Sequence, residues 1–183
     1  MVVALAGRRI DAANAEVYRF PIQNIDVVTN RLTKFFSSNN ITALVCSGAC
    51  GADLLALAVA GELSVYRNMV LPYEPQIFRT RSVIDRPGNW GILFDSIYDE
   101  INKKSGIIIL NYSEDDNAVY EKTNIEILKR ARDLSEKDKS NMHAITALIV
   151  WDGNPREPND ITEHFMKEAK KSRYKIEEIN TLK

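Results

Sequence analysis

The feature that most constrains this chain is the alternation of short, unbroken apolar runs with longer stretches of helical period. Gly106–Leu110 (GIIIL) and Ala147–Trp151 (ALIVW) have no polar face, so they read as strands buried on both sides. Between such runs, Ile22, Ile25, Val28, Leu32, Phe35 and Phe36 recur at helical spacing. Strands that alternate with helices in this way form parallel sheets joined by crossover helices. The expected fold class is therefore α/β: a three-layer Rossmann-like fold with a doubly wound, mainly parallel sheet and helices on both faces.

The same patterning places strands at Val2–Ala6, Thr42–Cys46, Asn68–Leu71, Gly106–Leu110, Ala144–Trp151 and Tyr174–Ile179. Helices are expected around Ile22–Phe36 and at Ala52–Leu63, Trp90–Ile101, Asn124–Ala131 and Ile161–Lys170. The stretch after Pro72, rich in Arg, Pro and Gly, reads as a long polar loop, and Ser135–Asn141 as a charged surface loop. No internal repeat or low-complexity linker interrupts the 183 residues, so one domain spanning 1–183 is the economical reading.

Composition narrows the class. Apolar residues make up 45% and charged residues 27%, as in a soluble globular protein. No apolar stretch approaches the roughly 20 residues that span a bilayer. MVVALAGRRID has no positive region ahead of its apolar residues, so it reads as a first strand rather than a signal peptide. With two cysteines, Cys46 and Cys50, a reducing cytoplasm is the expected location and no membrane partner is expected. The net charge of -1 supplies no global field toward nucleic acid, so any phosphate recognition must be local.

Open parallel sheets bind ligands beyond the carboxyl ends of their strands, and the candidate site residues are sought there. After the first strand come Gly7, Arg8, Arg9 and Asp11, a glycine that permits close approach beside two guanidiniums suited to an anion. Asp11 could equally pair with Arg9 on a solvated loop. After the second strand, Ser47, Gly48, Ala49, Cys50, Gly51 and Asp53 form a small-residue turn that opens an apolar helix. Its successive amides and the helix dipole make an anion-binding turn. Asp53 in the first turn reads as a cap ahead of a catalytic group. The spacing is neither G-x-G-x-x-G nor a Walker loop. After the third strand, Tyr73, Arg79, Arg81 and Ser82, interleaved with Phe78 and Trp90, could pair a phosphate and stack a base, or simply anchor the loop. Asp152 and Gly153 after the fifth strand could meet a ribose or form a turn. Thr162 at the next helix start could meet a phosphate or cap the helix.

Other chemistry is poorly served. His143 and His164 have no metal-type spacing, so neither a metal nor a cofactor is expected. Cys46 closes a buried strand and reads as a core thiol. Lys167, Lys170, Lys171, Arg173 and Lys175 read as a solvated basic face.

Taken together, AGRRID, SGACGADLLAL, LPY with FRTRSV, and WDG resemble the SLOG superfamily of Rossmann-like nucleotide-binding domains, over most of positions 3 to 165. That group includes the LOG phosphoribohydrolases and the DprA recombination mediators. The resemblance implies a nucleotide site with a phosphate pocket at the Gly48–Asp53 loop, beside Gly7, Arg8 and Asp11. LOG enzymes also carry P-G-G-x-G-T-x-x-E, and the stretch matched to it here is Asn159–Phe165. It lacks the glycines and has Phe165 in place of the catalytic glutamate, which leaves Glu163 as its stand-in, with Asp53, Asp11 and Asp152 as further candidate carboxylates for hydrolysis. Whether the chain is an enzyme stays open. The first expectation is binding of a nucleotide or nucleotide-derived small molecule, such as a signal made from NAD. The alternative is an N-glycoside hydrolase acting on a nucleoside 5′-monophosphate. Single-stranded DNA binding ranks third, because near-neutral charge disfavours a nucleic-acid partner. A homodimer is expected only by analogy with related folds.

Overall fold

The computed structural model describes residues 1–137, 145–156 and 158–182. Six strands form one sheet: β1 (Val2–Gly7), β2 (Ala43–Cys46), β3 (Tyr66–Leu71), β4 (Ile107–Ile109), β5 (Thr146–Trp151) and β6 (Lys175–Asn180). Their order is β4-β3-β2-β1-β5-β6, and every pairing is parallel. Strand burial follows from position. β1, β2 and β5, covered on both faces, are almost wholly apolar, whereas the edge strand β6 carries Lys175, Glu177 and Glu178.

The helices are α1 (Ile25–Ser38), α2 (Ala52–Glu62), α3 (Pro75–Ser82), α4 (Trp90–Asn102), α5 (Val119–Lys137) and α6 (Ile161–Lys171). Alternate strand residues face opposite layers. Val3, Leu5, Leu44, Met69 and Leu148 join α1, α2 and α4 in one core. Val2, Ala4, Val45, Val70, Ala147 and Ile149 join α5 and α6 in the other. The expected three-layer, doubly wound arrangement is thus present. Helix α2 lies within its layer rather than at the surface, and its buried residues run all round it, from Ala52 through Leu57.

Two stretches differ from the sequence expectation. The polar segment after Pro72 contains helix α3, which begins at Pro75, where a proline's missing N–H costs nothing. Helix α5 begins at Val119 and runs to Lys137, beyond Asn124–Ala131 at both ends and through part of the expected loop at Ser135–Asn141. The rest of that loop, and Ala144 of the expected fifth strand, lie outside the described residues. Topology explains the length of α5. It carries the chain from edge strand β4 to interior strand β5, across β3, β2 and β1. Four strand spacings of about 4.8 Å make about 19 Å, which a short helix of eight residues at 1.5 Å each could not cover. Buried Asn68 pins this crossover: its Oδ1 accepts from Arg130 Nε of α5 at 2.7 Å. Among the described residues, no helix is long and apolar enough to cross a membrane.

From β1 the chain leaves through α1 to β2, and from its neighbour β5 through α6 to β6, in opposite directions. The two loops therefore diverge and open a crevice at the carboxyl ends of β1 and β5. The last residue of β1 governs how closely this corner closes. A Cβ on Gly7 would lie 2.4 Å from Ala52 Cβ and 2.6 Å from the Val150 carbonyl oxygen. Gly7→Ala should therefore cost about 1–3 kcal/mol in denaturant unfolding, and unchanged stability would show that α2 can retreat from β1.

Candidate functional site

A cavity of about 260 Å³ occupies this crevice. Its floor is Leu5, Ala6 and Gly7 of β1. Its walls are Arg8 and Arg9, then Ser47, Ala49 and Asp53, then Phe78 and Ser82 of α3. Tyr120, Thr123, Asn124 and Ile127 of α5, with Arg156, Asn159, Asp160, Ile161 and Thr162, close the other side. Among the residues singled out from sequence, it brings together Gly7, Arg8, Arg9, Ser47, Ala49, Asp53, Ser82 and Thr162.

The first correction concerns Arg8, which is 3% exposed and fully engaged within the protein. Its Nε donates to Asp152 Oδ1 at 2.7 Å, Nη1 to Asp160 Oδ2 at 2.6 Å, and Nη2 to the Asn154 carbonyl. Asp152 Oδ2 accepts in turn from Arg19 Nη1 at 2.8 Å. Asp160 also caps α6, its Oδ1 accepting from the Thr162 and Glu163 amides. Arg8 is therefore a strut between the β1 and β5 loops, and Asp152 is its counter-charge rather than a ribose contact. Asp160, not Thr162, is the cap of α6.

The second correction concerns the glycine turn. The side chain of Asp53, in the first turn of α2, folds back over the loop. One oxygen, Oδ2, receives Ser47 Oγ at 2.9 Å, the Gly48 amide at 3.0 Å and the Ala49 amide at 3.3 Å. The Cys50 amide bonds the Ser82 carbonyl, and the Ala52 amide bonds the Arg8 carbonyl. The expected anion position is thus filled by the chain's own carboxylate. Gly48 and Gly51 do adopt positive φ, 103° and 95°. Gly51 also permits a close approach: a Cβ there would sit 2.8 Å from the Arg8 carbonyl.

The remaining expected residues are placed as follows. Asp11 does not line the cavity; its Oδ2 accepts from the Arg19 and Phe20 amides and folds the loop after β1. Arg9 pairs with Asp85 instead of Asp11, while its buried Nε has no partner among the described residues. In α3, Phe78 and Ser82 face inward, one helical turn apart, so Arg79 and Arg81 turn elsewhere. Arg79 grips Asp95 and Arg81 pairs with Glu114. Tyr73 reaches the site only indirectly, through a hydroxyl chain to Tyr120 at 2.8 Å and on to Ser82 at 3.1 Å. Gly153 lies in an open turn with φ 83°. Glu163 pairs with Lys167 at 2.9 Å and does not line the cavity. His143 lies outside the described residues, and His164 meets Asn124 at 3.4 Å. Both cysteines are buried, and burial pushes both thiols up. Cys46 is the core thiol expected, and Cys50, expected at the ligand, does not line the cavity. In the basic run, Lys167, Lys171 and Lys175 each pair with a nearby glutamate.

Sequence reading missed Tyr120, Thr123, Asn124, Arg156, Asn159 and Asp160. A signal existed in α5, where Thr123 and Asn124 fall on the buried stripe that continues through Ile127, Leu128 and Ala131. Polar residues on a core-facing stripe mark a hydrated or functional wall. Arg156 carries no such signal. Its guanidinium makes no hydrogen bond or ion pair among the described residues, and burial and the nearby Arg8 lower its pKa. Two carboxylates line the cavity in contrasting states. Burial pushes the Asp53 carboxyl up, and the Gly48, Ala49 and Ser47 donors only partly offset it. Burial also acts upward on Asp160, but the Glu163 and Arg156 amides and the Arg8 guanidinium prevail and hold it below the usual range.

No protein-family model, curated protein or solved structure matches the chain.

Removing Arg8 leaves buried Asp160 without its paired cation and Asp152 with Arg19 alone. Arg8→Met should cost about 3–5 kcal/mol at neutral pH. Because Asp160's folded pKa is depressed, the stability it contributes is present above its unfolded value of about 3.9 and lost as pH falls through the folded value. The penalty of Arg8→Met should therefore shrink below about pH 4. Denaturant titrations of both proteins between neutral and acid pH test this, and a pH-independent difference would refute the strut.

Proposed function

We propose that this chain binds a nucleotide or nucleotide-derived small molecule in the cavity at the β1–β5 crevice. The observation that carries the reading is the mixed character of that cavity. Arg156, whose guanidinium has no hydrogen bond or ion pair among the described residues, and the guanidinium of Arg9 bring positive charge to the wall for an anion. Ser47, Thr123 and Thr162 supply hydroxyls, and Asn124 and Asn159 amides, around apolar Leu5, Phe78 and Ile127. A ligand with negative charge, hydroxyl groups and an apolar ring matches this lining, and the resemblance to the SLOG superfamily points to the same ligand class. The volume, about 260 Å³, falls just under the range of about 300–1,000 Å³ for drug-sized pockets. It suits part of a nucleotide, with the remainder at the mouth. Phosphate is assigned to Arg156 and Arg9 rather than to the glycine turn.

One observation favours the hydrolase as a second reading: Asp53 lines the cavity with its pKa raised by burial, the setting in which carboxylates take part in acid–base or oxocarbenium chemistry. Chromatography for free base after incubation with nucleoside 5′-monophosphates separates the two readings. Release abolished by Asp53→Asn supports hydrolysis, and none under saturating ligand leaves binding alone.

Binding itself is tested by calorimetry against nucleoside 5′-monophosphates, ADP-ribose and cyclic ADP-ribose. At least one should bind, and Arg156→Ala should weaken it about tenfold or more, the loss of one charge-assisted hydrogen bond. Binding by none of them would sink the proposal.

A further inference from the structure

A glycine turn at a helix N-terminus normally leaves its amides open to a ligand's anion. Here those amides hold Asp53, and they hold it asymmetrically. Three donors converge on Oδ2 from Ser47, Gly48 and Ala49, and Oδ1 receives none of them. The residue is 7% exposed and forms no ion pair among the described residues, yet it is part of the cavity wall. Oδ1 is not among the fully buried, unpartnered atoms of the described residues, so it is the carboxylate oxygen left open to the cavity. Three bonds to the other oxygen also fix its direction in advance, as a recognition group requires.

The partner for Oδ1 must be a donor. A phosphate on this turn would meet a like charge in a poorly solvated wall. A cationic amine would donate well, but Arg9 and Arg156 line the same cavity and repel it. A neutral hydroxyl satisfies both constraints. Resting on the reading of this cavity as a nucleotide site, we propose that Asp53 Oδ1 accepts a hydrogen bond from a sugar hydroxyl of the bound nucleotide. The site thereby selects ribonucleotides over deoxyribonucleotides, and the turn's amides serve the protein's own carboxylate instead of the ligand's phosphate.

The test is calorimetry on the full chain with the four common ribonucleoside 5′-monophosphates and their 2′-deoxy and 3′-deoxy counterparts. A ribonucleotide that binds should do so at least about tenfold more tightly than one of its deoxy forms, as expected for a hydrogen bond to a charged acceptor. Asp53→Asn keeps an oxygen for the turn's amides and presents an NH2 group to the cavity, so it should bring that preference to within about twofold. Equal affinity for ribo and both deoxy forms in the unaltered protein overturns the inference while leaving the nucleotide reading in place. A preference that survives Asp53→Asn overturns it as well. Binding by no member of the series overturns both. The ligand series decides the matter in the unaltered protein even if the variant fails to fold.

Discussion

The buried guanidinium of Arg8 organises the carboxyl end of the sheet, where the cavity lies. It follows the central strand β1 and meets two carboxylates and a carbonyl from the segment after β5, above the ring of Trp151 at 5.6 Å. An interior ion pair adds little net stability compared with apolar packing, because both charges must leave water. Its effect here is geometric. Asp152 is also held by Arg19, and Asp160 by the Thr162, Glu163 and Arg156 amides, so Arg8 ties four chain segments into one arrangement. At the β1–β5 junction, where the connecting loops diverge, such a tie sets the width of the crevice.

Once Arg8 and Arg19 neutralise Asp152 and Asp160, the electrostatics of the cavity fall to what is left. On one side Asp53 is fixed by the turn that sequence alone would assign to a ligand. On the other, Arg156 lacks an ion pair among the described residues, and Arg9 divides its donors between Asp85 and a buried, unpartnered Nε. Negative and positive groups thus line one small space, which disfavours a purely anionic ligand and favours one that carries hydroxyls beside its charge.

The layers were legible because each strand's burial is written in its composition. Runs such as TALIVW leave no polar face, and the expected strands fall on the observed ones with shifts of a residue or two. Helix α3 was not legible, since PQIFRTRS reads as polar and only the phase of Phe78 and Ser82 gives it a buried side. That error propagated to the site: an extended loop could converge Arg79, Arg81 and Ser82 on a ligand, whereas a helix turns the arginines away. The position of the cavity, beyond the carboxyl ends of the strands, is where the strand-end rule directs the search. Its charge balance did not follow, because pairs such as Arg8 with Asp160 or Arg9 with Asp85 join residues 152 and 76 positions apart.

The glycine turn shows why spacing alone under-determines chemistry. Ser-Gly-Ala-Cys-Gly-Ala-Asp supplies the exposed amides that an anion site needs, but it also supplies an anion two residues past the second glycine. Gly51, at φ 95°, turns the chain into α2 so that the Asp53 side chain lies within reach of amides four and five residues earlier. An intramolecular carboxylate pays no association entropy and is always present, so it outcompetes a weakly bound external anion for the same donors. The burial that makes the turn a good anion site also raises the Asp53 pKa, because the donors only partly replace the lost water. The turn is thus better described as a mount for one carboxylate oxygen than as a phosphate cradle, and the sequence feature that distinguishes the two is an acidic residue in the first turn of the following helix.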